Sequence, residues 1–478
     1  MKIRRTFVSL LAGALMMSAG VGVYAQQNKL DEGTRKLSRE IFKQLIEINT
    51  SHSVGSTTTA AEAMAARLRE AGFPAEDVQV LVPESNPKKG NMVARFRASA
   101  GGEHKKPILF ICHLDVVEAN RSDWSVDPFT FLEKDGYFYG RGTEDIKDGD
   151  AFLVTSFIRL KKENYQPDRD LILALTADEE GGPDNGVDWL LKNHRDLVDA
   201  EFILNPDGGT FEMEHGKKLL AGVQAAEKVY QDFELKVTSP GGHSSLPTAD
   251  NAIDDLAEGL TRLAHYKFPV QLSEVTRAYF ERESKIVGGQ VGADMMAILK
   301  NPPDQAALDR LSASPFYNAR LRTTCVPTML KGGHAQNALP AEATANVNCR
   351  MLPGHSTEEI EASLKKVIDS KRIEIKPVQS GIAARPGPAS PLQPAVMKPL
   401  EKAVEEEWPG VPVVPVLDSG ATDGAISRAA GIPTYGVAGA FIDQDDDRSH
   451  GRDERLPVES FYEGVQFYYL FIKALSTP

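Results

Sequence analysis

Three short apolar runs in this chain each lead into side chains that bind metals. Pro107 to Cys112 runs into His113 and Asp115, Leu171 to Ala177 into Glu179 and Glu180, and Phe202 to Asn205 into Asp207. Helix-like stretches lie between them, from about Gly149 to Lys162 and from Val187 to His194. Strands that alternate with helices predict an α/β fold, a mixed and mostly parallel sheet with helices on both faces. Such sheets bind ligands beyond the carboxyl ends of their strands, which is where these side chains would gather. Asp145, in the turn Gly140 to Asp145, and His450 near the C-terminus add one carboxylate and one imidazole. The mixture suits a hard-to-borderline divalent cation.

The strand–helix pattern is flanked on the N-terminal side by helices over Leu30 to Asn49 and Thr57 to Ala71 and by strands over Val78 to Val82 and Met92 to Phe96. It breaks near Val229. Tyr230 to Val237 alternates like a half-exposed strand, Ala252 to Ala264 and Ser356 to Ile368 have helical spacing, and Arg322 to Met329 and Ala343 to Met351 read as strands. This α+β stretch predicts an inserted domain over residues 227–385. It would divide a catalytic domain into 26–226 and 386–478, the second part carrying a helix over Val396 to Glu407, strands near Val411 to Leu417 and Thr434 to Val437, and a last helix over Val458 to Leu475. Phe268 to Ser314 fits neither pattern; it is partly helical and reads as a lid insertion. Pro386, Pro388, Pro391 and Pro394 mark the return linker.

The N-terminus reads as an export signal. Lys2, Arg4 and Arg5 precede an apolar stretch, and Val23-Tyr24-Ala25 resembles a cleavage site, so residues 1–25 are expected to be removed. The mature protein is then expected in the periplasm or outside the cell, with no stable membrane anchor. A net charge of −13 argues against nucleic acid or anionic lipid as partner. Of three cysteines, Cys112 lies in an apolar strand. Cys325 and Cys349 flank a segment that could fold back on itself, which leaves both a disulfide and two free thiols open.

Two divalent ions about 3.5–4 Å apart need a shared carboxylate, further carboxylate and imidazole ligands, and a base that is not a ligand. The chain holds that inventory. His113-Leu114-Asp115-Val116-Val117, Gly140-Arg141-Gly142-Thr143-Glu144-Asp145-Ile146-Lys147, Asp178-Glu179-Glu180-Gly181-Gly182 and Ser449-His450-Gly451-Arg452-Asp453-Glu454 resemble, in order, the signatures of one zinc metallopeptidase family. That family contains glutamate carboxypeptidase, aminoacylase, carnosinase, acetylornithine deacetylase and succinyl-diaminopimelate desuccinylase. The resemblance implies a zinc-exopeptidase-like catalytic domain carrying an inserted α+β lid or dimerisation domain. It implies two Zn²⁺ per subunit, with Co²⁺ or Mn²⁺ tolerated by the same ligands. His113 and Asp207 would hold one ion, Glu180 and His450 the other, and Asp145 would bridge. Glu179 would be the general base, and Asp115 would hydrogen-bond His113 and fix its tautomer. The peptide bond after the bridging aspartate, Asp145–Ile146, would be cis. Asp148 departs from the family, which often has glycine after the lysine.

The resemblance extends to the inserted segment. In Gly241-Gly242-His243-Ser244-Ser245, His243 would stabilise the oxyanion, either in a partner subunit's site or in its own after closure. Asn337, in Asn337-Ala338-Leu339-Pro340, would approach the substrate, and Arg350 would bind its α-carboxylate bidentately. Gly420 and Thr422 belong to a Gly-rich stretch, Ser419 to Gly424, that resembles a substrate loop. The resemblance also implies a homodimer through the inserted domain, although some members of the family are monomers. Aspartate at position 207 is more typical of the peptidase branches, where the deacetylases tend to carry glutamate. The expected activity is therefore release of a C-terminal amino acid from dipeptides or short peptides, a carboxypeptidase or dipeptidase. The alternatives are an N-acyl-amino-acid amidohydrolase and, in another class, a periplasmic peptide-binding protein with a vestigial metal site.

Overall fold

The computed structural model describes residues 30–99, 101–102, 104–378 and 385–477. The expected export signal lies outside the described residues. Strands Ile108–His113, Leu171–Thr176 and Phe202–Asn205 are parallel neighbours in the middle of a ten-stranded sheet. Every residue of the three is buried, because helices cover both faces, and a strand covered on both faces reads as an unbroken apolar run. Phe110, Leu171, Leu173 and Leu175 pack with the helices Glu32–Glu47, Lys147–Lys162 and Val458–Ser476. Leu109, Ile111, Ile172 and Ile203 face the other way, towards Val187 and Leu190 of the helix Gly186–Asn193. The sheet is parallel at this centre and turns antiparallel where Asn91–Phe96 joins Leu171–Thr176 and Val78–Leu81.

Three strands of this sheet, Phe211–Glu214, Lys217–Glu227 and Phe441–Asp443, were not expected. The second contains Ala221, Gly222, Ala225 and Ala226, residues of low strand propensity, and shows no alternation. Pairing decides it instead: it lies against Phe211–Glu214, Val413–Asp418 and Thr434–Val437.

A second, four-stranded antiparallel sheet runs in the order Thr324–Gly332, Glu342–Met351, Val229–Thr238, Glu374–Val378. Burial alternates along its two middle strands, as in a sheet with one wet face. The covered face packs under helices Ala252–His265 and Thr357–Ile368 and forms a core of its own, drawn from Val229 to Ile375. Ser356 and Glu359 start the second helix with a reciprocal capping box. Cys325 and Cys349 are directly opposed on adjacent strands and form a disulfide. Their separation of 24 residues gives an expected stabilisation of about 3 kcal/mol. Chemical unfolding of Cys325→Ser/Cys349→Ser should show that loss, and dithiothreitol should bring the unchanged protein down to the same value.

The segment between the two halves of the small sheet does not lie on that sheet. Helices Glu274–Val287, Gly289–Ile298, Gln305–Ser312 and Pro315–Leu321 form a block whose Phe280, Met295, Ile298 and Leu321 pack on Leu220, Val414 and Val416 of the large sheet. The stretch read as a lid insertion is thus attached to the larger core. Arg282 fastens it there, donating to Val413 O at 2.7 Å and to Glu401 at 2.9 Å.

Candidate metal centre

Asp145 stands between two imidazoles. Its Oδ1 is 3.3 Å from His113 Nε2, and its Oδ2 is 3.0 Å from His450 Nε2. His450 Nε2 is also 3.0 Å from Glu180 Oε2, and His113 Nε2 is 3.8 Å from Asp207 Oδ2. Ligand atoms of His113, Asp145 and Glu180 lie within 4.8 Å of one another, as do those of His113, Glu179 and Asp207. The two groups share His113, and Asp145 turns one oxygen towards each imidazole, the arrangement expected of a bridging aspartate. Glu180 Oε1 is buried with no hydrogen-bond partner among the described residues, as fits an oxygen that ligates a cation. The residues present thus fit a pair of divalent ions.

The electrostatics point the same way. Burial raises Glu179 and Asp207 well above the usual carboxylate range, and the charge of Asp207 adds to the effect on Glu179. Burial opposes ionisation of Asp145 too, but hydrogen bonds to His113 and His450 outweigh it and lower that carboxyl. Hydrogen bonds to Asp145 and Glu180 push exposed His450 up to about 10. Burial opposes charge on His113, yet its bond to Asp145 and the Asp207, Glu179 and Asp115 carboxylates hold it well above its ordinary value. So many ionisable groups this close demand compensating positive charge.

Backbone placement comes from the strand ends and from two buried carboxylates. His113 closes its strand, and its Nδ1 lies 3.0 Å from the main-chain oxygen of Asp115. The Asp115 carboxylate stands 3.7 Å from that nitrogen and instead accepts the N–H groups of Glu179 and Glu180, each at 3.1 Å. Asp115 thus orients His113 through its carbonyl and the two glutamates through its side chain. Glu454, fully buried, accepts from the N–H groups of Gly142, Glu144 and Asp145 and from Arg141 Nη1. Glu454 lies in the last motif and organises the turn that carries Asp145. The Asp145–Ile146 bond is cis. Removing the Glu454 carboxylate leaves Arg141 and three N–H groups buried without it, at an expected cost of about 3–5 kcal/mol. Urea unfolding of Glu454→Ala would measure it.

Two cavities open from the centre, of about 390 Å³ and 520 Å³. Both are bounded by Asp145, Asp207, Ala421 and Thr422. Glu179, Glu180, His450, Lys228, Tyr230 and Asp423 line the first; Phe316, Arg320, Ser419 and Gly420 line the second. The loop after Val413–Asp418 thus divides the space. Gly420 is exposed on that loop. The Thr422 hydroxyl is already engaged, donating to Glu227 at 2.9 Å and accepting the Gly424 N–H at 3.0 Å. It caps the helix Asp423–Ala429 and sets the loop. Arg350 lies 4.7 Å over the Tyr230 ring and donates to Ser419 O at 3.0 Å, at the edge of the cavities.

His243 and Asn337 come together, but away from the metal centre. His243 sits on the segment Gly242–His243, which pairs with Ala338–Leu339, and Asn337 immediately precedes the second segment, with Ser244 N donating to Asn337 O at 3.0 Å. His243 is exposed and lines neither cavity. Lys228, Arg320 and Asp423 were not singled out from sequence, because only packing brings them to the cavities. Burial raises Asp423 to about 6, beside the Asn185 amide.

A model of the family described as peptidase family M20/M25/M40 matches residues 109–474. A probable carboxypeptidase S-like 2 of Dictyostelium discoideum is 31% identical over 381 residues, covering 78% of this chain and 72% of that protein. An N-fatty-acyl-amino acid synthase/hydrolase of Xenopus tropicalis is 28% identical over 463 residues, 94% of this chain and 88% of the relative. Among solved structures, an M20 family metallo-carboxypeptidase from Sulfolobus solfataricus superposes with a TM-score of 0.63 at 17% identity, over 93% of this chain and 99% of that one. At that identity the likeness concerns the fold.

Proposed function

Because the chain belongs to peptidase family M20/M25/M40, we propose that it is an exported dinuclear zinc exopeptidase that releases the C-terminal amino acid from dipeptides or short peptides. The observation that carries this reading is the position of Asp145 between His113 and His450, with Glu179 beside His113. His113 and Asp207 would hold one zinc, Glu180 and His450 the other, and Asp145 both; Co²⁺ or Mn²⁺ would suit the same donors. Zinc, when bound, supplies Lewis acidity for the scissile carbonyl and makes water a nucleophile near neutral pH. Glu179 takes the proton of the attacking water and returns it to the leaving amine. Its burial favours the protonated form, which suits the second transfer. Retention of this base weighs against a vestigial, binding-only role.

His243 would complete the site from a second copy or after closure. Its Nδ1 accepts from Ser245 N at 3.1 Å and lies 2.7 Å from Ser245 Oγ, a pattern that leaves the proton on Nε2 to donate to an oxyanion. A homodimer through the small sheet is supported by its edge strand Thr324–Gly332, which leaves Val326, Met329 and Leu330 exposed. The Cys325–Cys349 disulfide supports an oxidising compartment, in keeping with export.

Similarity to an N-fatty-acyl-amino acid synthase/hydrolase over 94% of the chain favours a second reading, an N-acyl-amino-acid amidohydrolase. Amino acid release from unblocked dipeptides and from the same residues with an N-acyl group separates the two. Zinc-loaded mature protein should prefer the unblocked set; preference for the acylated set would overturn the peptidase reading.

A further inference from the structure

The larger cavity contains a cation that the proposed reaction does not use. Arg320 belongs to the helix Pro315–Leu321, the last of the block packed on the large sheet, and it lines the cavity together with Asp145, Asp207 and Ser419. Its guanidinium is held in place. The carbon at its centre lies 3.7 Å from the Phe316 ring and 5.2 Å from the Tyr279 ring. Covered faces leave only the edges of a guanidinium for hydrogen bonds. One edge N–H reaches Phe316 O at 3.3 Å, and Nε is buried with no partner among the described residues.

Of the carboxylates around it, Glu283 has a buried oxygen with no partner among the described residues, and three others are engaged. Asp418 accepts from Gln224 at 3.0 Å, Glu212 accepts from Gln444, and Asp447 accepts from Ser449 N and Oγ. Glu212, Glu283 and Asp418 are near enough to feel the Arg320 charge, yet among the described residues Arg320 forms no ion pair. Arg350 arrives at the same loop from the small sheet but spends a donor on Ser419 O. Arg320 is thus a fixed fork of donors with no ion-pair partner among the described residues, and its natural complement is a carboxylate.

We propose that Arg320 is a specificity-determining residue that binds a substrate carboxylate in the larger cavity. The proposal rests on the reading of the adjoining centre as hydrolytic. Three carboxylates could fill the role: the α-carboxylate of the released amino acid, an acid in its side chain, or an acid on the acyl half. The shared chemistry is the same in each case.

Matched substrates that differ by one carboxylate separate these sources: Ala-Ala against Ala-Ala amide, Ala-Glu against Ala-Gln, and succinyl-Ala against pentanoyl-Ala. In the zinc-loaded full chain, Arg320→Gln should lower kcat/KM for the acid member of one pair by roughly 10–100-fold and leave its neutral partner within about twofold. Arg320→Lys should restore part of that preference, which a purely structural role would not require. Equal losses across every pair, or no loss in any, would overturn the proposal. If the protein cleaves none of these compounds, the hydrolytic reading fails by itself. Calorimetric titration with succinate then decides for Arg320: at least about tenfold weaker binding by Arg320→Gln supports it, and unchanged binding rejects it.

Discussion

Glu179→Gln is expected to lower kcat by about 10³–10⁴-fold while both metal equivalents stay bound, because the amide keeps the size of the side chain and loses only its basicity. The placement of Glu179 makes this a sharp test. Its carboxylate lies within ligand distance of His113 and Asp207, so geometry alone would also allow it to be a ligand. Its backbone is fixed by the Asp115 carboxylate and does not depend on its own side chain. Metal analysis and turnover on the same preparation distinguish the roles. Retained metal with lost turnover identifies the base. Loss of one metal equivalent would make Glu179 a ligand and leave the base to be found elsewhere, with Asp423 a candidate in the same cavity.

The second large effect is expected from Asp145→Asn. One oxygen of Asp145 faces each imidazole, and an asparagine can offer an oxygen to only one side. Metal content should fall below two equivalents. Activity should fall by several kcal/mol of transition-state stabilisation, roughly 10³-fold. The turn itself should survive, because Glu454 grips it through main-chain N–H groups that the substitution leaves in place. Stability therefore separates the two parts of the effect. Zinc should raise the melting temperature of the unchanged protein through preferential binding to the folded state, and that rise should shrink in the variant. Two retained metal equivalents with normal turnover would remove Asp145 from the bridging role.

Much of this centre was legible in the sequence because its parts sit where local pattern is strongest. His113, Glu179, Glu180 and Asp207 follow buried parallel strands, whose unbroken apolar runs announce themselves. Less was legible where pairing or packing overrides local preference. Lys217–Glu227 is a strand only because three neighbours pair with it, despite its alanines and glycine. Thr422 sits in a loop of the expected kind, yet its hydroxyl serves Glu227 and a helix start, a use that no spacing reveals. Arg320 lies in a seven-residue helix with nothing local to mark it. Its importance arises from the docking of a helical block on strands that lie far away in sequence.

That docking also changes how the two cores can move. An insertion entered once and left once would swing on two strands of chain. Here the chain passes between the cores four times: at Lys228, between Phe268 and Leu272, between Leu321 and Thr324, and after Val378. Three of these passages are laced side by side, with Gln271 N donating to Leu321 O, Arg322 to Phe268 O and Lys228 Nζ to Arg322 O. A joint tied in this way restrains twisting and sliding of one core on the other more than two separate strands of chain would. Arg350 and His243 belong to the smaller core's side of this joint, whereas Arg320 is fixed on the side of the metal centre.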